Sequence, residues 1–261
     1  MKIDFNVIGV IPARYASQRL PHKLLRIING KTLLQWTWEN VSGARALDKL
    51  IIACDHPEVE EEARRFGADV VFTSSGHISG TDRIAEAVRD VNVKVVINIQ
   101  ADEPLIHPSI VDRLADEMIS DRSLVMATAK KRINKESEIN NPNVVKVICG
   151  REDFAIYFSR LPIPYCRQDE VSGNQFKDGT AYYKHLGIYA YSKDFLYEFK
   201  NLPCSYLEQA EKLEQLRALE AGYKIKVIET KFDSWGVDTE EDLNHVERIL
   251  AEKMSQENTF L

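Results

Sequence analysis

The sequence predicts an α/β fold, a doubly wound and mostly parallel sheet with an antiparallel insertion in its second half. Three observations carry this. Short apolar runs alternate with helix-period stretches through residues 7–129. The strongest run, residues 94–99, has the Val/Ile density of a strand buried on both faces. From residue 143 onward, strand-like segments follow one another with no long helix between them. With 261 residues, 44% of them hydrophobic and 28% charged, the chain fits one globular domain, 1–261. Its parts are expected at about 1–130, about 131–230 and about 231–261, the last returning to the core.

Residues 7–11 read as the first strand. The loop that follows, 12–23, carries Arg14, Arg19 and Lys23 and no acid. Such a cluster, leaving the first strand of an α/β sheet, suits a polyanion of phosphate size. It is neither G-x-x-x-x-G-K-[ST] nor G-x-G-x-x-G, so it argues against a P-loop NTPase and lacks the dinucleotide fingerprint. A helix is expected over 32–41 and a strand over 50–53. Asp55-His56-Pro57 opens a helix that Gly67 ends. A strand over 69–72 precedes Ser79-Gly80-Thr81-Asp82, which introduces the next helix.

After the central strand stands Gln100-Ala101-Asp102-Glu103-Pro104. An acid at the carboxyl end of such a strand faces the ligand crevice. Asp102 is the first candidate metal ligand; Glu103 stays open as the alternative, since alternation does not separate neighbours across a turn. A helix over 108–120 and a strand over 124–129 follow. The antiparallel insertion draws on 143–148, 154–159 and 185–191. Residues 161–165, Leu-Pro-Ile-Pro-Tyr, are extended, and 166–180 read as a long polar loop, mobile or used in subunit contact. Ser205 to Glu208 forms a capping box whose helix is expected to reach Ala221. A strand over 224–229 leads to Trp235-Gly236-Val237-Asp238-Thr239 and a last helix, with Thr239 as cap and Asp242 three residues on. Asp238 is then a structural residue or part of an active-site turn. Residues 254–261 read as a loose tail.

A formal net charge of −6 argues against general nucleic-acid binding. No apolar run is long enough to span a membrane, and no signal peptide is evident. The four cysteines form no C-x-x-C pair, which fits reduced thiols in the cytoplasm.

These segments together resemble the 3-deoxy-manno-octulosonate (Kdo) cytidylyltransferases, the CMP-Kdo synthetases. The motifs stand in that family's order: residues 12–23, Asp55-His56, Ser79-Gly80-Thr81-Asp82-Arg83, 100–104, Asn141-Pro142-Asn143, Tyr157-Phe158-Ser159-Arg160 with Ile163-Pro164, His185-Leu186-Gly187-Ile188-Tyr189, Leu213-Glu214-Gln215-Leu216-Arg217 and Gly236-Val237-Asp238-Thr239. The resemblance implies a nucleotidyltransferase-type fold, with nucleotide binding in the first part and sugar binding and dimerisation in the second. It implies transfer of CMP from CTP to the anomeric hydroxyl of Kdo, an acidic sugar of lipopolysaccharide, with Mg²⁺ as cofactor and a homodimer as assembly. Arg14, Arg19 and Lys23 would hold the triphosphate beside Pro12, Ala13, Ser79 and Gly80. Gln100, Thr73 and Ser74 would meet the cytidine, and Asp102 and Asp238 the metal. Arg160, His185, Tyr189, Glu214 and Gln215 would line the sugar pocket.

Three positions depart from the family pattern. His22 and Ala101 stand where it usually has Gly, and Cys54 where it often has the Thr of Thr-Asp-His. Ala101 is tolerable with φ below zero; His22 narrows the phosphate loop or adds a donor. Asp82 in place of Glu leaves the 8-amino analogue of Kdo open as substrate, and other acidic sugars such as sialic acids, or CTP binding without turnover, are the rival readings.

Overall fold

The computed structural model describes residues 4–17, 19–166 and 181–258. In chain order it runs β1 (Asp4–Ala13), β2 (Ile27–Ile28), β3 (Lys31–Thr32), α1 (Leu33–Ser42), β4 (Lys49–Cys54), α2 (Pro57–Arg65) and β5 (Asp69–Phe72). Next come α3 (Gly80–Ala87), β6 (Asn92–Asn98), α4 (Pro108–Ser120), β7 (Met126–Arg132), α5 (Glu136–Asn140), β8 (Lys146–Cys149) and β9 (Ala155–Ser159). The chain closes with β10 (Tyr183–Ser192), α6 (Lys193–Asn201), α7 (Tyr206–Glu211), α8 (Leu216–Glu220), β11 (Ile225–Thr230) and α9 (Glu240–Asn258).

The sheet order is β11-β7-β10-β6-β1-β4-β5. β1 pairs in parallel with β4 on one side and β6 on the other. The chain thus builds outward through β4 and β5, then crosses back to place β6 on β1's free edge. This reversal opens a crevice between the carboxyl ends of β1 and β6, where such sheets bind ligands. The antiparallel element lies inside the sheet: β10 runs against both β6 and β7. β8 joins β10 at Lys184 and Lys146, and β9 pairs with β8.

Both faces are covered. Leu33 and Leu34 of α1, Val59 of α2, Ile110 and Leu114 of α4 and Leu243 of α9 pack with Val7, Ile11 and Ile97 on one face. Ile84 of α3, Phe195 and Phe199 of α6 and Leu216 of α8 pack with Ile8, Val10 and Val96 on the other. Successive strand residues therefore point to opposite layers, and both layers are apolar, as continuous Val/Ile runs require.

Several helix starts follow from local chemistry. The Thr32 side chain accepts from Gln35 N, and Pro57 and Pro108 sit in the first turns of α2 and α4. Ser79 and Asp82 form a full capping box.

Two expectations fail. The helix opened by Ser205 does not reach Ala221: Lys212 adopts the left-handed conformation at φ 55 and ends α7. Residues 213–215 then cross to α8. The expected loose tail is instead helical through Asn258, since Ala, Glu, Lys, Met and Gln are good helix formers. The expectation for the polar loop falls mostly on 167–180, outside the described residues.

Candidate active site

Leaving β1, the loop is fixed from three sides. Tyr15 N donates to Asp55 Oδ1 at 2.9 Å. The Tyr15 ring stacks on His56, centroids 3.7 Å apart, and meets His22 at 4.4 Å. Leu20 and Leu24 are buried. His22 has φ 52, the region glycine favours, so a non-glycine residue bears some strain here. Its ring contact with Tyr15 offsets that. Ala101 is absent from the positive-φ residues, is buried, and its carbonyl accepts from Thr37 Oγ1 at 2.9 Å. An alanine fits the position.

This loop, the turn after β6, the start of α3 and the turn before α9 enclose a cleft of about 480 Å³. Its lining includes Pro12, Arg14, Arg19, Lys23, Ser79, Gly80, Gln100, Asp102 and Asp238. Ala13 is fully buried beneath. Thr73 and Ser74 do not line the cleft. Thr73 is buried; its hydroxyl donates to Cys54 O and accepts from Arg83 Nη1. Its effect on the cleft passes through Arg83, which does line it. Cys54 is likewise buried, and burial pushes its thiol up to about 11.

Sequence reasoning missed Arg83, His77 and Ile78 as lining residues. Arg83 stood in a motif already singled out, and its bonds to Asp55 Oδ2 (2.7 Å) and Thr73 tie three loops together. His77 contacts the Glu86 carboxylate, a pairing nine residues apart with no local signal.

Asp102 and Asp238 meet despite their distance in sequence. Val237 N donates to Asp102 O at 2.9 Å, which brings the turn before α9 onto the turn after β6. The α9 cap is made by Thr239 and Asp242, with Thr239 N donating to Asp242 Oδ2 at 2.9 Å and Asp242 N to Thr239 Oγ1 at 3.2 Å. The Asp238 carboxylate is free of capping and turns inward. Lys23 Nζ lies 2.5 Å from Asp102 Oδ2 and 3.0 Å from Asp238 Oδ1. Arg19 Nη2 lies 2.8 Å from Asp238 Oδ2. Burial pulls the Lys23 ammonium down, but the two carboxylates outweigh it and leave it above its ordinary value.

Glu103 faces the other way. Ser234 Oγ donates to its Oε2 at 2.6 Å. A Cβ on Gly187 would lie 3.0 Å from its Oε1, so the glycine makes room for this carboxyl. Burial pushes it up to about 7, with the Asp102 charge adding to the rise and the Ser234 bond opposing it. A raised carboxyl stabilises the fold fully below its unfolded value, and that stability is lost as pH rises through about 7. A rise from the ordinary carboxyl value of 4.5 corresponds to about 3 kcal/mol at about 1.4 kcal/mol for each tenfold change in proton affinity. Urea midpoints of the ligand-free protein should therefore fall between about pH 5 and about pH 8, and Glu103→Gln should flatten that fall. Parallel pH curves for the two proteins would remove Glu103 as the cause.

Behind Gly80 lies a second group. Thr81 Oγ1 donates to Glu214 Oε2 at 3.0 Å, and burial raises the Glu214 carboxyl. Gln215 is buried, and its Nε2 has no partner among the described residues. Tyr189 sits 5.3 Å from the His185 ring; burial and its acidic neighbours push its phenol well up. His185 Nε2 lies 2.9 Å from Thr128 Oγ1, and burial drives the imidazole down to about 3, so it is neutral. The break at Lys212 is what delivers Glu214 and Gln215 here. Arg160 is committed elsewhere: its guanidinium donates to the carbonyls of Glu211 and Pro142 at 2.7 and 2.9 Å. It holds the end of α7 at that break.

A loop of three cations facing two converging carboxylates can hold a triphosphate and a divalent cation together. The Gln215 amide, without a partner among the described residues, is a donor left available to a polar group. Comparisons with known proteins place the chain in a family. The family model described as cytidylyltransferase matches residues 8–225. A 3-deoxy-manno-octulosonate cytidylyltransferase of Solibacter usitatus is 45% identical over 96% of this chain and 97% of its own. One from Pelobacter propionicus is 44% identical over 91% and 94%. A solved CMP:2-keto-3-deoxy-manno-octonic acid synthetase complexed with CTP superposes with a TM-score of 0.87 at 38% identity, covering 95% of this chain and 99% of that one.

Proposed function

The chain belongs to the cytidylyltransferase family, and from that premise we propose that it is a 3-deoxy-manno-octulosonate cytidylyltransferase. It transfers CMP from CTP to the anomeric hydroxyl of Kdo and releases pyrophosphate, activating the sugar for lipopolysaccharide assembly in the cytoplasm. The observation that carries this is the single cleft lined by Arg14, Arg19, Lys23, Asp102 and Asp238.

The anomeric oxygen forms a bond to the α-phosphorus as the bond to the bridging oxygen breaks. Pyrophosphate leaves with the electron pair, and the hydroxyl proton passes to water. Such transfer asks the protein for positioning and charge neutralisation. Arg14, Arg19 and Lys23 hold the triphosphate; Gln100, Ser79 and Gly80 seat the cytidine against Pro12. Gln215, Glu214, Tyr189 and His185 receive the sugar. Neutral His185 and Tyr189 suit hydroxyls, and the Gln215 amide suits an oxygen acceptor.

Asp102 and Asp238 fit Mg²⁺. Their oxygens already converge on one cationic nitrogen, and hard carboxylates suit this ion. Among the described residues no third His, Cys or acid joins them, which leaves coordination positions for phosphate oxygens and water. Bound there, Mg²⁺ supplies polarisation of the α-phosphate.

Arg19→Ala should weaken CTP binding about tenfold or more and sugar binding little. The Arg19 side chain is 67% exposed, so its pairing with Asp238 is weak and easily exchanged for phosphate, where a charged hydrogen bond is worth roughly 1.5–3 kcal/mol. Calorimetric titration with CTP checks this; unchanged affinity reassigns the loop.

Among the described residues β9 pairs with β8 and no other strand, and Ile156, Leu161, Tyr165 and Tyr206 are exposed large apolar residues nearby in sequence or on α7. A second copy covering this face makes a homodimer. Light scattering at micromolar concentration should give twice the 29.8 kDa chain mass; a monomer rules the dimer out.

Pyrophosphate release tests the whole reading, with CTP, Mg²⁺ and a panel of Kdo, its 8-amino analogue and a sialic acid. Release with Kdo is expected. Release only with another sugar moves the substrate, and CTP binding without release from any of them makes the chain a binding homologue.

A further inference from the structure

The two aspartates proposed to hold the metal are already neutralised from within. Lys23 Nζ touches one oxygen of each, and Arg19 takes the second oxygen of Asp238. Two negative charges thus meet two positive ones, both from the loop proposed to hold the nucleotide. The Lys23 side chain is only 11% exposed, so its ammonium has few waters and depends on these carboxylates. Its backbone is pinned at the start of a 3-10 turn, where its carbonyl accepts from Arg26 N at 3.2 Å. Only the side chain is left to move. The nitrogen stands where a cation shared by the two carboxylates would stand, and a divalent ion at Mg–O distances of about 2.0–2.1 Å cannot share those oxygens with it.

We propose that Lys23 is a built-in counter-ion, holding the cation position between Asp102 and Asp238 in the nucleotide-free enzyme and releasing it when triphosphate oxygens draw the ammonium away. A divalent cation then gains the pair only together with the nucleotide. The phosphates offer Lys23 new acceptors in the same cleft, and the incoming metal replaces its charge on the acids, so neither is left buried and unpaired. Metal alone meets a site that is electrically closed. This rests on the two-aspartate metal site above.

The test is Mn²⁺ alone, titrated calorimetrically into the nucleotide-free full-length protein. Wild type should bind weakly, and Lys23→Met at least tenfold more tightly. Arg14→Met removes a cation from the same cleft that makes no ion pair among the described residues, and should bind like wild type. Mn²⁺ should also raise the melting temperature of Lys23→Met but not of wild type. Should Lys23→Met fail to fold, Lys23→Gln, which keeps a donor without the charge, serves the same comparison. Equal affinity in wild type and the Lys23 variant overturns the proposal, as does an equal gain in Arg14→Met, which would mean a general charge effect. If Lys23→Met/Asp102→Asn binds Mn²⁺ as tightly as Lys23→Met, the two-aspartate site itself fails.

Discussion

Asp102→Asn and Asp238→Asn will each cut pyrophosphate release by about 10²- to 10³-fold while the fold stays intact. Metal-held charge stabilisation of a transferring phosphoryl group is worth several kcal/mol, and each ~1.4 kcal/mol is tenfold in rate. Asparagine keeps the shape and one oxygen of each side chain but removes the charge that balances the cation. The backbone bond from Val237 N to Asp102 O does not involve either carboxylate, so the two turns stay joined. Nor is the α9 cap disturbed, because Thr239 and Asp242 make it. Had Asp238 been the cap, asparagine would have replaced it well and activity would survive. The measurement is release across a Mg²⁺ titration, with thermal melting beside it. Near-wild-type release by Asp238→Asn at ordinary Mg²⁺ sinks the two-aspartate site.

That mutation also separates what the sequence could tell from what it could not. The alternation of β1, β4, β5 and β6 with their helices was legible because its signals are local: apolar period, capping boxes and Pro at helix starts. The β1 loop was legible for the same reason, since three cations and no acid within twelve residues need no partner to be noticed. The placement of β10 was not. Its pattern marks a strand, but lying antiparallel between β6 and β7 is a fact about pairing across more than fifty residues.

The break at Lys212 was hidden differently. Ser205 and Glu208 announce a helix, and nothing but a lysine stands where it ends. A glycine there would have signalled the left-handed turn; a lysine does not. Yet this break carries Glu214 and Gln215 to the site. Arg83 and the Tyr15 stack belong to the same class. Their partners come from loops that the sheet, not the sequence, makes neighbours. His22 shows the converse. Its departure from glycine was visible, but its tilted ring contact with Tyr15 was not.

Arg83→Met will produce the largest loss of stability among cleft substitutions, about 3–5 kcal/mol. The guanidinium side chain is 4% exposed and pairs with Asp55, itself 11% exposed. It bonds Asp55 Oδ2 and Thr73 Oγ1 at 2.7 and 2.6 Å. Methionine fills much of the same volume, so the loss is that of partners rather than of packing. Asp55 is left buried with the backbone bond from Tyr15 N for company, and an unpaired buried charge is what makes half a buried ion pair costly. The damage reaches function through that bond. Tyr15 anchors the loop that carries Arg14, Arg19 and Lys23, so a loosened Asp55 loosens the triphosphate site. Adding Asp55→Asn should recover part of the stability, because the amide keeps an acceptor for Tyr15 N without the stranded charge. It should not restore CTP affinity, since Arg83 itself lines the cleft. Urea unfolding of the single and double variants reads the first effect and CTP titration the second. A single variant within about 1 kcal/mol of wild type would mean that Arg83 is a surface-like cation whose ion pair contributes little, and the three-loop tie would have to be abandoned.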